Sequence, residues 1–151
     1  MSDLYRHQVR VIFGDTDQMG VVYYANYLRF FEAARAGLLR HRGGSQRDLV
    51  RWGVALPVIE AHCRYRRPSH YEDLLEIAVS VVPVRSASLR FDYQILRGEE
   101  VIADGHTVHA CIGSTGRPCR IPAELRAIIS DDDANLHQER DIGDGRQKSG
   151  S

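Results

Sequence analysis

The sequence predicts an α+β fold in which one long helix packs on an antiparallel sheet. Two observations carry that expectation. A short stretch of alternating polarity is followed by a single extended helical periodicity, and four strand-like segments then come in succession. The 151 residues correspond to about one domain, with enough chain to bury a real core.

Each element has its own signature. Tyr5, His7, Val9, Val11 and Phe13 alternate with Arg6, Gln8, Arg10 and Ile12, the mark of a half-buried strand. Residues 14–20 form a loop bounded by Gly14 and Gly20. From 24 to 38, Tyr24, Tyr27, Leu28, Phe31, Ala34 and Leu38 recur at helical spacing. Gly43-Gly44-Ser45 breaks that helix, and a short turn or helix follows over 46–51. Strands are expected over 54–66, 74–84, 87–96 and 101–112, with Arg97-Gly98-Glu99-Glu100 as a hairpin turn between the last two. Pro122 suits the first position of a closing helix through about residue 129. The domain therefore occupies 1–130, and 131–151 is expected to be an acidic, flexible tail.

Composition excludes several classes. Apolar residues at 43% and charged residues at 26% are ordinary for a folded chain, which argues against wholesale disorder. No apolar run approaches the ~20 residues of a membrane span, and the polar N-terminus has no secretory apolar region, so a cytoplasmic location is expected. The zero net charge divides into −3 over 131–151 and +3 over the rest, too weak a basic excess for nucleic acid. Cys63, Cys111 and Cys119 are odd in number and lack a C-x-x-C pair, which favours reduced thiols over disulfides or zinc.

The chemistry concentrates in residues 13–27, where Asp15 and Asp17 sit between a strand end and a helix start. Helix-start amides are unpaired and carry partial positive charge, so they can hold an oxyanion beside a carboxylate base or nucleophile. The plainer alternative is that an acid here merely caps the helix. A calcium loop fails because Met19 and Asn26 occupy two ligand positions. A phosphatase of the haloacid dehalogenase type fails because Gly14 interrupts the apolar run into the first aspartate and Met19 stands where Thr or Val is wanted two residues beyond the second.

The run Asp15-Thr16-Asp17-Gln18-Met19-Gly20-Val21-Val22-Tyr23-Tyr24-Ala25-Asn26-Tyr27-Leu28-Arg29-Phe30-Phe31-Glu32 resembles the signature of the 4-hydroxybenzoyl-CoA thioesterase-like hotdog proteins. It is similar also to acyl-CoA thioesterases associated with the bacterial Tol–Pal system. Softer similarity lies in Tyr65-Arg66-Arg67-Pro68, Tyr71-Glu72-Asp73-Leu74-Leu75-Glu76-Ile77 and Arg85-Ser86-Ala87-Ser88-Leu89, so the resemblance spans about 4–129.

The resemblance implies a hotdog fold, a long central helix wrapped by a curved five-stranded antiparallel sheet. It implies a homodimer or homotetramer with sites at the interface, and hydrolysis of an acyl-CoA thioester. Asp17 matches the catalytic carboxylate, as nucleophile or general base, and the Tyr24 amide matches the oxyanion donor. Asp15 matches a structural position that bonds loop amides. Arg67, Arg85, Ser86 and Ser88 match substrate-binding positions for the phosphates and pantetheine, with Arg66 beside them. No metal and no cofactor are implied, since CoA is part of the substrate. An acyl-carrier protein is a second class of thioester donor. Tol–Pal-associated relatives often carry His where this chain has Tyr24, which leaves no His–Asp pair here.

A non-catalytic acyl-CoA or acyl-carrier-protein binding module on the same fold is the alternative; such a binder has no need of Asp17. Hotdog dehydratases use a helix histidine, and no histidine lies between residues 13 and 39. Glu32 is a second candidate carboxylate, although pairing with Arg35 or exposure to solvent is the simpler expectation. Arg35 falls in the apolar stripe, so it is expected to meet Asp17 or Glu32 or to reach an edge. His106 and His109, three apart on a strand, face opposite sides and cannot jointly bind a metal.

Overall fold

The computed structural model describes residues 5–130; the acidic stretch expected over 131–151 lies outside them. Eight elements follow the expected order: β1 (Arg6–Arg10), α1 (Asn26–His41), α2 (Gln46–Arg51), β2 (Val58–Tyr65), β3 (Leu74–Arg85), β4 (Ser88–Arg97), β5 (Glu100–Ala110) and α3 (Ala123–Ser130). The five strands form one sheet in the order β1-β3-β4-β5-β2, and every neighbouring pair is antiparallel.

Alternation along the strands puts Leu75, Ile77, Val79 and Val81 of β3 and Leu89, Phe91, Tyr93 and Ile95 of β4 on the buried face. The same face of α1 contributes Phe31, Ala34 and Leu38, and α1 lies across β1 and β3. Phe31 stacks on Tyr93 with ring centroids 4.1 Å apart and planes 6° from parallel. Trp52 and Leu56 pack at the margin of this core.

The differences from expectation are local. The first strand stops at Arg10, because the chain turns into a 3-10 turn over Phe13–Asp15. The long helix begins at Asn26 rather than at residue 24 and runs on to His41. The second strand begins at Val58 rather than 54. Pro57 has no amide to continue the ladder, and Ala55 pairs instead with Ile112 in an isolated bridge.

Gly105 of β5 allows β2 to approach. A Cβ there would stand 2.0 Å from the carbonyl oxygen of His62. β2 is a sheet edge and is exposed along most of its length, including Val58 and Ile59. Among the described residues no helix is long and apolar enough to cross a membrane.

Candidate active site

The loop between β1 and α1 is built from its own backbone. Asp15 is buried, and its Oδ2 accepts the Ile12 amide at 2.9 Å while its carbonyl accepts the Tyr23 amide and Asn26 Nδ2, each at 2.9 Å. Arg29 comes within 3.5 Å of its Oδ1. Asp15 thus bonds loop amides, as the resemblance implied, and holds the loop to the helix start.

Asp17 opens a tight turn. Its carbonyl accepts the Gly20 amide and its Oδ1 accepts the Met19 amide, both at 2.9 Å, while its own amide donates to Val21. Gly20 closes the turn at φ +80°, a conformation that favours glycine. Among the described residues nothing donates a hydrogen bond to Asp17 Oδ2. One carboxylate oxygen is therefore anchored, and the other retains its full capacity to accept or attack.

Neither aspartate caps the helix. The N-cap of α1 is Ala25, with no side-chain hydrogen bond, whereas α2 is capped by Ser45 Oγ accepting from the Asp48 amide. The first turn of α1 closes through Asn26 to Tyr23, Tyr27 to Tyr24 and Leu28 to Ala25. Among the described residues the Tyr24 amide has no acceptor. It is an unspent donor at the positive end of a 16-residue helix.

Asp17 and Tyr24 line one cavity of about 340 Å³, together with Tyr27, Tyr65, Arg66 and Arg67. Three tyrosines contribute to its wall beside Met19, Val21, Val22 and Pro68. Tyr65 meets Tyr27 and Tyr24 edge-on, with centroids at 5.4 and 6.3 Å. The Tyr65 hydroxyl donates to the Tyr24 carbonyl at 3.0 Å, and burial pushes the phenol up to about 12, so it stays protonated as a donor. The Tyr27 hydroxyl bonds Ser69 Oγ at 2.6 Å, and burial raises its pKa as well.

The two arginines at the rim differ. Arg66 Nε is tied to Asp104 Oδ2 at 2.5 Å, whereas among the described residues Arg67 has no carboxylate partner. Arg67 is the available cation.

Arg85, Ser86 and Ser88 lie elsewhere in the chain, at the β3–β4 turn. β3 begins beside the Asp17 loop, where Val11 bonds Asp73, and runs away from it for 12 residues. At about 3.3 Å per residue the two ends are roughly 35 Å apart. Ser86 instead lines a separate cavity with Arg120 and Arg126. The sequence offered Tyr65 only within the similarity of Tyr65-Arg66-Arg67-Pro68, with no role of its own, and did not mark Arg120 or Arg126. Tyr65 could have been flagged as the aromatic at a strand end beside two arginines. The two arginines meet Ser86 only through long-range packing.

Arg35 corrects an expectation. It meets neither Asp17 nor Glu32, and its Nη1 lies 3.4 Å from the Tyr93 hydroxyl, which bonds Thr107 Oγ1 at 2.6 Å. Thr107 in turn meets His109 Nε2 at 2.8 Å, and His109 Nδ1 meets the Leu56 carbonyl at 2.9 Å. Glu32 is exposed and lines a different cavity, of about 230 Å³, with Arg35 and His109. His106 faces the other side of the sheet and bonds Glu60 at 2.7 Å. Among the described residues no three His, Cys, Asp or Glu side chains are grouped to hold a metal ion.

Comparison with known proteins matches residues 11–129 to the model of the thioesterase-like superfamily. The chain is 39% identical over 101 residues to the acyl-CoA thioester hydrolase YbgC of Escherichia coli, covering 67% of this chain and 75% of that protein. It is 33% identical over 119 residues to the 1,4-dihydroxy-2-naphthoyl-CoA hydrolase of Synechococcus elongatus, covering 78% and 87%. The crystal structure of Slr0204, a 1,4-dihydroxy-2-naphthoyl-CoA thioesterase from Synechocystis, superposes with a TM-score of 0.80 at 26% identity, covering 85% of this chain and 97% of that one.

Proposed function

This chain belongs to the thioesterase-like superfamily and is a hotdog-fold thioester hydrolase, and from that premise we propose that it cleaves acyl-CoA with Asp17 as the reacting carboxylate and the Tyr24 amide as the oxyanion donor. The observation that carries this reading is the pairing, in one cavity, of a carboxylate oxygen and a helix-start amide that both lack partners among the described residues.

The thioester carbonyl accepts from the Tyr24 N–H. As a tetrahedral centre forms, its oxygen gains charge against a donor already fixed in place, so little reorganisation is needed. Asp17 acts by one of two routes. It attacks the carbonyl carbon through Oδ2, expelling the CoA thiolate and leaving a mixed anhydride that water opens at the Asp17 carboxyl carbon, releasing the free acid. Alternatively it takes a proton from water as the oxygen attacks the carbonyl carbon, and the tetrahedral intermediate collapses to the free acid by expelling the CoA thiolate, which takes up the proton. The anchored Oδ1 orients the carboxylate in either case. A single turnover in ¹⁸O-water separates the routes, because only the first exchanges label into the Asp17 side chain.

The wall of Tyr24, Tyr27 and Tyr65 suits a planar aromatic acyl group, held by edge-to-face contacts. Arg67 meets a phosphate of CoA at the rim. Ser86, with Arg120 and Arg126, lines a second polar cavity, and together with Arg85 and Ser88 of the same turn it serves the nucleotide of a site on another copy of the chain. The exposed edge strand β2 supports such self-association, as homodimer or homotetramer. An acyl-carrier protein would present the same pantetheine thioester. The reaction needs no metal or cofactor, and CoA enters as part of the substrate.

The test is release of CoA thiol from acetyl-, hexanoyl-, palmitoyl-, benzoyl- and 4-hydroxybenzoyl-CoA, with wild type beside Asp17→Asn. The aromatic esters are expected to give the highest kcat/KM. The substitution is expected to lower kcat by about 10²–10⁴-fold. Turnover that survives Asp17→Asn would sink the assignment.

A further inference from the structure

Two of the three cysteines, which nothing in the reaction uses, lie side by side. Cys111 Sγ and Cys119 Sγ are 3.7 Å apart. They flank a hairpin whose register is fixed by three pairings. Gly113 donates to the Arg117 carbonyl, Ile112 bridges Pro118, and Cys119 donates to the Cys111 carbonyl at 2.9 Å. Cys111 and Cys119 are thus direct cross-strand neighbours with side chains on one face. Cα atoms in such pairs stand about 4.5–5.5 Å apart, within the span a disulfide bridges. We propose that Cys111 and Cys119 form a reversible disulfide by exchange with a low-molecular-weight disulfide.

The two thiols are unequal in a way that sets the order of events. Cys111 is fully buried, and burial pushes its thiol up to about 12. Cys119 is only half-buried and is the sulfur that an outside reagent reaches first. Its thiolate attacks the small disulfide RSSR, forming a mixed disulfide and releasing one RS⁻. Cys111 then gives up its proton and attacks the Cys119 sulfur, expelling the second RS⁻. The protein loses two electrons and two protons, and RSSR becomes two RSH. The third thiol, Cys63 on β2, pairs across to Gly105 and takes no part.

The location gives the bond a consequence. The Cys111 amide donates to the Ala87 carbonyl at 2.8 Å, the Ile121 amide donates to the Ser86 carbonyl at 2.9 Å, and Cys111 Sγ lies 3.9 Å from the Arg120 carbonyl. Closing the bond fastens the segment that carries Arg120 to the residue that follows β5, and Arg120, next to Cys119, lines the cavity shared with Ser86 and Arg126.

The test incubates the full-length protein with oxidised glutathione, then counts thiols and maps peptides by mass. Two of the three thiols are expected to disappear, with a peptide pair cross-linked through Cys111 and Cys119. Dithiothreitol is expected to restore all three thiols. Cys119→Ser is expected to give no intramolecular link, and circular dichroism of both proteins checks that each stays folded. Three persistent thiols in folded wild type would overturn the proposal. So would a stable glutathione adduct on Cys119 beside an unreacted Cys111, or a link through Cys63.

Discussion

The hydroxyl of Tyr65, the last residue of β2, donates to the carbonyl oxygen of Tyr24 at 3.0 Å. A strand edge thereby fixes the peptide that follows the proposed oxyanion donor, and positions it against the Asp17 turn. Tyr65→Phe keeps the ring and loses the bond. A net hydrogen bond of about 0.5–1.5 kcal/mol predicts a roughly 2–10-fold fall in kcat, with the melting temperature lowered by only a few degrees. Steady-state kinetics beside a thermal melt separates this positioning effect from loss of fold.

Arg66 and Arg67 are adjacent but are predicted to behave differently. Arg67→Ala removes a cation without a carboxylate partner among the described residues, and is expected to raise KM for CoA esters severalfold at low salt while leaving kcat near wild type. Arg66→Ala breaks the contact with Asp104 and is expected to change KM less. Measuring KM against ionic strength checks both, and equal effects would overturn the distinction.

Gly105→Ala tests the close approach of β5 to β2. A Cβ 2.0 Å from a backbone oxygen cannot be accommodated by a side-chain rotation, so the edge strand must move. A loss of at least about 2–3 kcal/mol is expected, as for other overpacked sites. Urea unfolding measures it, and tyrosine fluorescence at the cavity reports whether β2 shifts.

His109 gives a pH dependence to stability. Burial lowers its pKa below the ordinary 6.5, so the unfolded chain binds the proton more readily than the folded one. Stability from this residue is complete above about pH 6.5 and is lost as pH falls from there towards the folded pKa. His7 is shifted the same way by burial and by Arg40. Melting temperature is expected to fall between pH 7 and pH 5, and His109→Gln is expected to flatten that slope whatever its absolute stability.

Chelation is a further check. Incubation with EDTA is expected to leave thioester turnover unchanged, since the proposed chemistry uses a carboxylate and an amide alone. A loss restored by a divalent cation would contradict that mechanism.

The architecture was legible because its signals are local. The alternation of Leu89, Phe91, Tyr93 and Ile95, and the helical recurrence of Phe31, Ala34 and Leu38, each lie within one element and correspond to the buried faces observed. The loop bearing Asp15 and Asp17 was legible for the same reason, as its partners Ile12, Met19 and Gly20 are near in sequence. What escaped was set by distant chain segments. Arg35 reaches Tyr93 across the core, and Tyr65 reaches Tyr24 across the cavity. No periodicity encodes either contact. The boundary of β2 also depended on Ala55 finding Ile112, which moved the strand's start past Pro57.

The missing cap on α1 places the proposed catalysis and thermal robustness in opposition. A serine, threonine or aspartate at an N-cap is worth about 0.5–2 kcal/mol, and Ala25 forgoes it. An engineer seeking a hardier enzyme would be drawn to Ala25 as an easy gain. A carboxylate there would set negative charge at the helix start, next to the proposed oxyanion donor Tyr24, and weaken the dipole's pull on the thioester oxygen. Selection for heat tolerance at that position would thus weaken the field on which the proposed chemistry depends, and hardier variants must find their stability elsewhere.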